Sequence, residues 1–418
     1  MFARATNGRA TGSLSVATLL ARLKRAAPHP LPRAEWVPVP SALGRVASQT
    51  VRARRMLPPH DQSTMDGFAV RSQRSSPRTD PRGRRLRVIG QSLPGDDVPT
   101  LPRVDDRTAV EVLTGAALPP GADAVLRLED CRRSDDTIWL RRPAVAGKDV
   151  ARRGEDFRPG RTIVAAGTPL RPWHLAALLA NEVARVRVVR RLRVGVLSTG
   201  DELVATGVRL TPGRVRDTTR PLLLSLLAEL GVPSVDLGLV PDTVPAIRRA
   251  VVRGLTSCDA LITTGGSSVG KGDLVPAAIQ SLGAMRWIAS RVRLRPGSTT
   301  RVALVGRRPI FLLSGPPVAA FAGFVGIVEP FVQGRQGRPA RPPSSVSATL
   351  VKRIEHTRGV RELVRVRMKE KQGHLYAVAV ERHGAARLSS LTGANGFLLL
   401  DERRGNYRPG ETVQVVRL

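Results

Sequence analysis

The stretch "CDALITTGGSSVGKGD", residues 258–273, joins a short apolar run to a loop rich in glycine and serine. The apolar run predicts a buried strand. Residues 265–271 fit the first seven positions of the phosphate-binding pattern GxxxxGK[ST], but Gly272 stands where a Ser or Thr would ligate Mg²⁺, and Asp273 follows. The stretch therefore leaves two alternatives: a broken triphosphate loop, or another kind of anion site that uses the carboxylate.

Strands and helices alternate on both sides of this stretch. "LRVGVLSTG" (192–200) and "SVDLGLV" (234–240) predict buried strands, and "TTRPLLLSLLAELG" (218–231) predicts a helix with Pro221 in its first turn and Gly231 at its end. Such alternation predicts a parallel sheet with helices on both faces. Ligands of such sheets bind past the carboxyl ends of the strands.

The rest of the chain reads as β-rich, so the fold class predicted is α/β multidomain. Short strands and turns predict a β-rich domain over 49–160, and alternating runs after a Pro-rich linker predict a C-terminal β domain over 345–418. The α/β domain covers 192–337. A mixed N-terminal, linking domain takes the discontinuous segments 13–48 and 161–191.

The net charge of +33 is compatible with nucleic-acid binding, but the sequence favours a general Arg-rich composition bias together with a site for acidic ligands. The excess is nearly all Arg and spreads along the chain, and aromatic residues make up only 3%, too few for a base-stacking platform. We therefore expect no specific nucleic-acid partner. The apolar runs fall short of the roughly 20 residues of a membrane span, and two distant cysteines suit a reducing compartment, so we expect a cytoplasmic protein without membrane contact.

Acidic residues follow the strands of the predicted sheet in three loops, which makes the strand ends a candidate cleft. The first loop has Asp201 and Glu202, the second has Asp217, and the third has Asp273. Backbone N–H groups beside carboxylates suit a phosphorylated ligand with a bridging Mg²⁺. The alternative is structural, since Asp217 and Asp273 both precede helices as N-caps do.

Two further features admit a structural and a functional interpretation. One is the set Arg291, Arg293 and Arg295, which share one face of a predicted strand. This face could form a basic wall that binds an oxyanion, or it could simply be an exposed face of the strand. Asp66 lies in a Met-Asp-Gly turn, which an Asx turn alone explains.

Five ordered motifs resemble those of the molybdenum insertase family, also called molybdopterin molybdotransferase, to which the C-terminal portion of gephyrin belongs. They are "LPPHDQSTMDGFAV", "LTGAALPPGADAV", "RRGEDFRPG", "VGVLSTGDEL" and "LITTGGSSVGKGD". The resemblance runs from about residue 13 to the C-terminus. It implies an elongated, four-domain homodimer whose third domain is the α/β sheet.

The resemblance also implies a reaction and its reagents. Adenylylated molybdopterin and molybdate are the substrates, the phosphoanhydride is cleaved, AMP is released, and molybdenum stays on the dithiolene. Mg²⁺ is the implied cofactor, and molybdopterin adenylyltransferase is an implied partner. The Gly/Ser loop then holds the pterin phosphate, and Asp273 takes the place of the missing hydroxyl near the metal.

The family's site residues carry over by motif. The implied catalytic acids are Asp66, which reaches the cleft from the partner subunit, and Asp156, Glu202, Asp217 and Asp273, the last two also as metal ligands. The implied substrate-binding residues are Thr114, Thr199, Gly200, Gly265, Gly266, Ser267, Ser268, Arg291, Arg295, Gly315 and Pro317.

The chain departs from the family pattern in three elements. Pro-Gly-Asn-Pro appears as "SGPP" (314–317), Pro-Gly-Lys-Pro as "PGST" (296–299), and Asp-Ser/Thr-Asn-Arg as "DTTR", with Thr219 for Asn. Arg at 291 and 295 replaces the usual Lys and keeps the charge. The five acids remain, which favours an active insertase; the alternative is a catalytically impaired paralogue that serves as a pterin-binding scaffold.

Overall fold

The computed structural model describes residues 13–26, 34–72, 84–265, 274–283, 285–337, 344–380 and 384–418. These residues form two compact units. The first takes in the described residues of Met1–Ala34 and Val189–Leu418, and the second is Glu35–Val188. The four-domain division stays a prediction.

The first described element is helix α1 (Val16–Ala26). Its buried residues, Val16, Leu19 and Leu23, recur at helical spacing and pack into the largest core of the first unit.

The second unit is built mainly from short strands, as predicted for 49–160. In chain order it contains β1 (Ala34–Pro38), a 3₁₀ turn (Val39–Ala42), β2 (Val51–Arg52), β3 (Gln62–Ser63), β4 (Gly67–Val70), β5 (Arg84–Ser92), a 3₁₀ turn (Val98–Thr100), β6 (Thr108–Val112), β7 (Ala124–Arg127), a 3₁₀ turn (Leu128–Asp130), β8 (Cys131–Ser134), β9 (Thr137–Leu140), β10 (Val150–Ala151), β11 (Thr162–Val164), α2 (Pro172–Ala180) and β12 (Arg185–Val189).

A six-stranded sheet organises this unit, in the order β7-β4-β6-β5-β9-β8. Strands β5 and β6 run parallel and the other neighbours antiparallel. Two-stranded ladders β1–β12, β2–β11 and β3–β10 complete it. The sheet sets the turn after β3, which carries Asp66, beside the turn after β6, which carries Thr114.

The first unit continues with the α/β segment. Its elements are β13 (Val194–Thr199), β14 (Leu203–Val204), β15 (Val215–Arg216), α3 (Thr219–Glu229), β16 (Ser234–Val240), α4 (Val244–Ser257), β17 (Ala260–Thr264), α5 (Leu274–Gln280), β18 (Met285–Ala289), β19 (Leu294–Arg295), β20 (Arg301–Val305), β21 (Arg308–Leu313), α6 (Pro317–Gly323), a π-helical turn (Phe324–Val328) and α7 (Glu329–Arg335).

The central sheet has the order β16-β13-β17-β21-β20-β18 and is parallel only in part. Strands β16, β13, β17 and β21 run parallel, as the sequence predicts, whereas β20 pairs antiparallel with both β21 and β18 and so runs in the opposite direction to all of them. The predicted parallel-type sheet is present, and β20 departs from it because a tight turn at Gly306 (φ 59°) joins β20 to β21, and a turn that short connects antiparallel strands only.

Helices cover both faces of this sheet, as predicted. On one face α1, α3, α6 and α7 share a core with inward residues such as Ile262 and Phe311. On the other face α4 and α5 share a core with Leu261 and Leu312. Neighbouring residues of one strand thus enter opposite cores, which explains why the strands read as continuous apolar runs.

One helical run, Pro317–Arg335, is long and apolar enough to cross a membrane by length and composition, which corrects the expectation that all apolar runs are too short. Within it, 78% of the most apolar window is buried inside the protein. A helix in the middle of a large core is apolar all round, so it meets the same criteria as a membrane span.

The C-terminal segment forms a closed barrel. Its elements are β22 (Ser345–Leu350), β23 (Arg361–Lys371), β24 (His374–Ala379), α8 (Ser389–Thr392), β25 (Gly396–Leu400) and β26 (Thr412–Arg417). The order is β19-β23-β24-β22-β26-β25, and β25 pairs back with β23, so five strands close around their own core. Strand β19 adds to β23 and sets Arg295 opposite Glu362.

Candidate active site

The carboxyl ends of β13 and β17 meet at one edge of the central sheet, as the sequence predicts. Gly265 has φ +85°, and a Cβ on it would lie 1.8 Å from the carbonyl oxygen of Thr199. Only glycine allows the two loops to approach this closely. Gly265 and Thr199, which the sequence predicts to bind substrate, therefore lie side by side, and Thr199 is buried.

A pocket of about 330 Å³ opens at this edge, and we call it the edge pocket. Five residues predicted for the site line it, together with Ser198, Thr219 and Ala386 among others. The five are Glu202, Asp217, Gly265, Gly315 and Pro317. The structure thus brings residues from four loops into one cavity.

The Asp217 carboxylate in this pocket is fully engaged by the protein. Its side chain is 1% exposed, and it accepts hydrogen bonds from the Ser198 hydroxyl (3.0 Å), the Arg220 backbone N–H (3.2 Å) and the Arg220 Nε (2.8 Å). Arg220 also pairs with Asp236. Burial lowers the pKa of Arg220, but hydrogen bonds to Asp236 and Asp217 outweigh it and raise the pKa above its ordinary value.

The Glu202 carboxylate is, by contrast, available to a ligand. It is exposed and has no hydrogen-bond partner among the described residues. Gly200 (φ +156°) makes room for it, because a Cβ there would lie 2.9 Å from both carboxylate oxygens. Of the two acids that line the edge pocket, Glu202 suits direct contact with a ligand and Asp217 suits a positioning role.

A further acid, Asp242, joins the loops behind the edge pocket. It follows β16 and accepts a hydrogen bond from the Thr199 hydroxyl. Its backbone N–H in turn donates to the Asp201 carboxylate at 3.2 Å. Sequence reasoning missed Asp242, although its place after a sheet strand is the same signal that picked out the other acids.

A second pocket, of about 290 Å³, lies between the α/β segment and the barrel, and we call it the arginine pocket. Arg295, Glu362 and Arg365 line it, with Pro296, Val380 and Ala385. Arg365 is 7% exposed, and its Nε has no hydrogen-bond partner in the described ranges. Burial lowers the pKa of Arg365, while the neighbouring Glu362 raises it.

A buried guanidinium N–H without an acceptor is costly unless an anion accepts from it. The arginine pocket is therefore suited to an oxyanion that both guanidinium groups contact. Sequence reasoning found Arg295 and missed Arg365, since nothing in an Arg-rich sequence marks one arginine of a strand as buried.

The two pockets are neighbours. Ala385 lines the arginine pocket and Ala386 the edge pocket, and the Ala385 carbonyl accepts from the Val318 N–H at 2.9 Å. The three elements that depart from the family pattern meet here. The Thr219 hydroxyl donates to the Gly315 carbonyl at 2.7 Å, and the Thr299 and Ser314 hydroxyls lie 2.6 Å apart.

The predicted basic face at 291–295 is present in part. Arg291, Arg293 and Arg295 are exposed while Val292 and Leu294 are buried, so the three arginines do share a face. The strand itself covers only Leu294–Arg295. Arg291 is not among the residues that line the arginine pocket.

The remaining described predictions lie in the second unit. Asp66 accepts hydrogen bonds from the Thr114 backbone N–H (2.7 Å) and hydroxyl (2.8 Å). These two bonds, the backbone one first, lower the pKa of Asp66 below its ordinary 3.8. Asp156 is exposed in the turn between β10 and β11, and its backbone N–H donates to the Leu57 carbonyl at 3.0 Å.

Four predicted residues lie outside the described residues: Gly266, Ser267, Ser268 and Asp273. The described part of the chain contains no cluster of three or more His, Cys, Asp or Glu residues able to hold a metal. Mg²⁺ is commonly bound by one or two carboxylates together with substrate phosphates and water. Glu202 fits that mode of binding, whereas the three donors on Asp217 oppose its use as a direct ligand.

Comparison with known proteins accounts for nearly the whole chain. Three family profiles match in order: the MoeA N-terminal region (domains I and II) over residues 14–181, a probable molybdopterin-binding domain over 195–334, and the MoeA C-terminal region (domain IV) over 347–418.

Curated relatives match from end to end. The molybdopterin molybdenumtransferase of Haemophilus influenzae is 31% identical over 405 residues, which cover 94% of this chain and 96% of the relative. That of Bacillus subtilis is also 31% identical, over 91% of this chain and 89% of its own.

The fold has a close counterpart among solved structures. A crystal structure of the molybdopterin biosynthesis MoeA protein from Pyrococcus horikoshii matches with a TM-score of 0.79 and 27% identity, over 97% of this chain and 99% of the other. A molybdenum cofactor biosynthesis protein from Pyrococcus furiosus has the same fold, with a TM-score of 0.57 and 20% identity.

Proposed function

This chain belongs to the molybdopterin molybdenumtransferase family, and we propose on that premise that it inserts molybdenum into adenylylated molybdopterin. In this reaction water cleaves the phosphoanhydride, which yields AMP and the pterin phosphate. The two dithiol sulfurs bond to molybdenum, and their hydrogens leave with one molybdate oxygen as water.

The observation that carries this proposal is the contact between an acid-lined pocket and an arginine-lined pocket in one compact unit. Gly265 and Gly315 bring backbone close to the edge pocket, where the pterin phosphate binds. Arg295 and Arg365 hold molybdate next to it. An oxyanion and the group that receives it then lie side by side, which removes most of the entropic cost of their encounter.

We propose that Mg²⁺ takes part, held by Glu202 and the phosphate oxygens of the substrate, with Asp273 as the implied additional ligand. When bound, the metal neutralises charge on the phosphoanhydride. Asp217 keeps its implied catalytic role by fixing Arg220 and the start of α3.

We also propose that the active enzyme is a homodimer in which Asp66 and Thr114 of one subunit complete the edge pocket of the other, with Asp156 nearby. Two free, buried cysteines suit the cytoplasm. We propose that molybdopterin adenylyltransferase supplies the adenylylated molybdopterin, because direct transfer between the two enzymes protects its reactive phosphoanhydride from water.

The direct test is molybdate-dependent AMP release by the purified full chain, with Glu202→Gln as the variant and Asp201→Asn as its matched control. Neighbouring Asp201 accepts only from the Asp242 N–H among the described residues, so its loss should matter less. We expect Glu202→Gln to lower the rate on the order of 10²-fold. Equal rates in both variants would remove the role of Glu202.

The scaffold alternative is not favoured, because the chain matches relatives named as transferases along their whole length. The same assay separates the two functions. A scaffold binds the pterin and releases no AMP.

A further inference from the structure

The wall of the arginine pocket contains a buried acid–histidine pair, Glu362 and His356. The His356 side chain is fully buried and the Glu362 side chain is 6% exposed, and Nδ1 lies 3.2 Å from Oε2. The other ring nitrogen, Nε2, lies 3.2 Å from the Asp401 carbonyl oxygen. Both ring nitrogens therefore face oxygen atoms, and an N–H at Nδ1 can donate to the Glu362 carboxylate.

His356 is held from its backbone as well as from its ring. Its N–H donates to the Asn406 side-chain oxygen at 2.8 Å, and the Tyr407 ring lies 6.1 Å away, centroid to centroid. Tyr407 is itself buried in the barrel core. The orientation of the imidazole is thus fixed by the strand turn that carries Asp401 and Tyr407.

Glu362 poses a problem for a pocket that binds oxyanions. It lines the same cavity as Arg295 and Arg365, and its carboxylate is 4.0 Å from Arg295. A carboxylate turned toward the ligand repels a fully ionised oxyanion, and it favours one that carries a hydrogen to donate. Molybdate carries no hydrogen at neutral pH, whereas phosphate does.

We propose that His356 is a positioning residue that sets the anion selectivity of the arginine pocket. By donating from Nδ1 to Oε2 of Glu362, it holds that oxygen at the pocket wall, 4.0 Å from Arg295. Arg295 and Arg365 then stay able to donate to a fully ionised tetrahedral oxyanion. This inference rests on the proposed function, since it concerns the pocket assigned there to molybdate.

Loss of the histidine releases the carboxylate into the pocket, so the expected change is one of selectivity. In His356→Asn, molybdate binding falls on the order of tenfold, about the energy of one hydrogen bond to a charged group. Competition by phosphate strengthens at the same time, because the released carboxylate accepts the phosphate hydrogen.

Neutralising the carboxylate should cancel that effect. Glu362→Gln alone retains molybdate within about threefold, and His356→Asn combined with Glu362→Gln recovers most of the binding lost in the single histidine variant. A histidine that only supports the barrel would give losses that add, with no change in the ratio of the two anions.

The experiment is equilibrium dialysis of sodium molybdate against the full chain, with phosphate and sulfate as competitors, for wild type and the three variants. Thermal unfolding checks that each variant folds. If His356→Asn does not fold, Glu362→Gln still decides, because loss of molybdate binding in that variant overturns the inference.

The outcomes also separate this inference from the proposed function. A wild-type chain that binds no molybdate overturns both. If the wild-type chain binds molybdate and His356→Asn has unchanged selectivity, the role of His356 is overturned. The arginine pocket then keeps its proposed role as the molybdate site.

Discussion

The hydroxyl groups of Thr299 and Ser314 lie 2.6 Å apart and join the loop that follows Arg295 to the loop that carries Gly315. Both residues stand where the family pattern has proline, so two departures in sequence form one contact in space. The contact links the arginine pocket to the edge pocket.

We expect Thr299→Val and Ser314→Ala each to raise the molybdate concentration needed for half-maximal AMP release, by about tenfold or less, and to cost about 1 kcal/mol of unfolding free energy. The double variant should be no worse than either single one, because both remove the same bond. Thr300→Val is the matched control, since that buried hydroxyl has no hydrogen-bond partner within the described residues. Additive losses in the double variant would contradict the link.

Gly265→Ala tests the close approach of the β13 and β17 loops. Gly265 and Gly213 have similar φ values, +85° and +80°, but only at Gly265 does a Cβ meet backbone. Gly213→Ala should therefore cost only the conformational penalty, about 1–2 kcal/mol, and Gly265→Ala should cost clearly more and abolish AMP release. Urea unfolding of both variants measures the difference in unfolding free energy. Equal losses would show that glycine is needed at 265 only for its positive φ and not for the close approach of the loops.

Arg220→Met should strongly destabilise the first unit. It leaves the Asp217 carboxylate buried with one charged partner removed, which typically costs about 3–5 kcal/mol. Adding Asp217→Asn should recover part of the loss, because the neutral amide needs no counter-charge. Arg55→Met, which breaks an exposed pair with Glu182, is the control and should cost less than about 1 kcal/mol. In urea unfolding, the loss of unfolding free energy should be largest for Arg220→Met, smaller for the double variant and smallest for the control.

The pKa of Asp66 should depend on Thr114. The pKa is lowered below 3.8 in the folded chain, so the stabilising contribution is complete above pH 3.8 and is lost as the pH falls through the lowered value. Thr114→Val removes the hydroxyl bond and keeps the backbone one, so the pKa should move part of the way back toward 3.8. Carboxyl ¹³C NMR measures this, with Asp105, whose own pKa is lowered first by Thr108, as internal control.

Subunit complementation tests the composite active site. Asp66→Asn and Glu202→Gln homodimers should each release AMP at roughly a hundredth of the wild-type rate. After mixing and re-equilibration, half of the dimers are mixed, and one of their two sites carries neither substitution, so AMP release should return to about a quarter of wild type. No recovery, in dimers shown to exchange, would place Asp66 and Glu202 in the site of a single chain.

The sequence was sufficient for the core of the fold because its signals were local. The run 194–199 is buried throughout, and α3 begins and ends where Pro221 and Gly231 predict. The reversed direction of β20 was not predicted, because it depends on the short turn that joins β20 to β21.

Residues of the edge pocket could be picked out from the sequence where they directly follow a strand. Glu202 and Gly265 follow strands, and the structure places both on the edge pocket. The pairing of Asp217 with Arg220 and Ser198, and the burial of Arg365 and His356, arise from contacts between segments distant in sequence, which spacing alone does not reveal.

Strand β19 comes from the α/β segment, yet it pairs with β23 of the barrel and sets Arg295 opposite Glu362. The arginine pocket is thus lined by two stretches of chain that hydrogen-bond as one ladder. A fragment that ends before β22 would keep Arg295 and lose Glu362 and Arg365, so the pocket is complete only when the barrel is present.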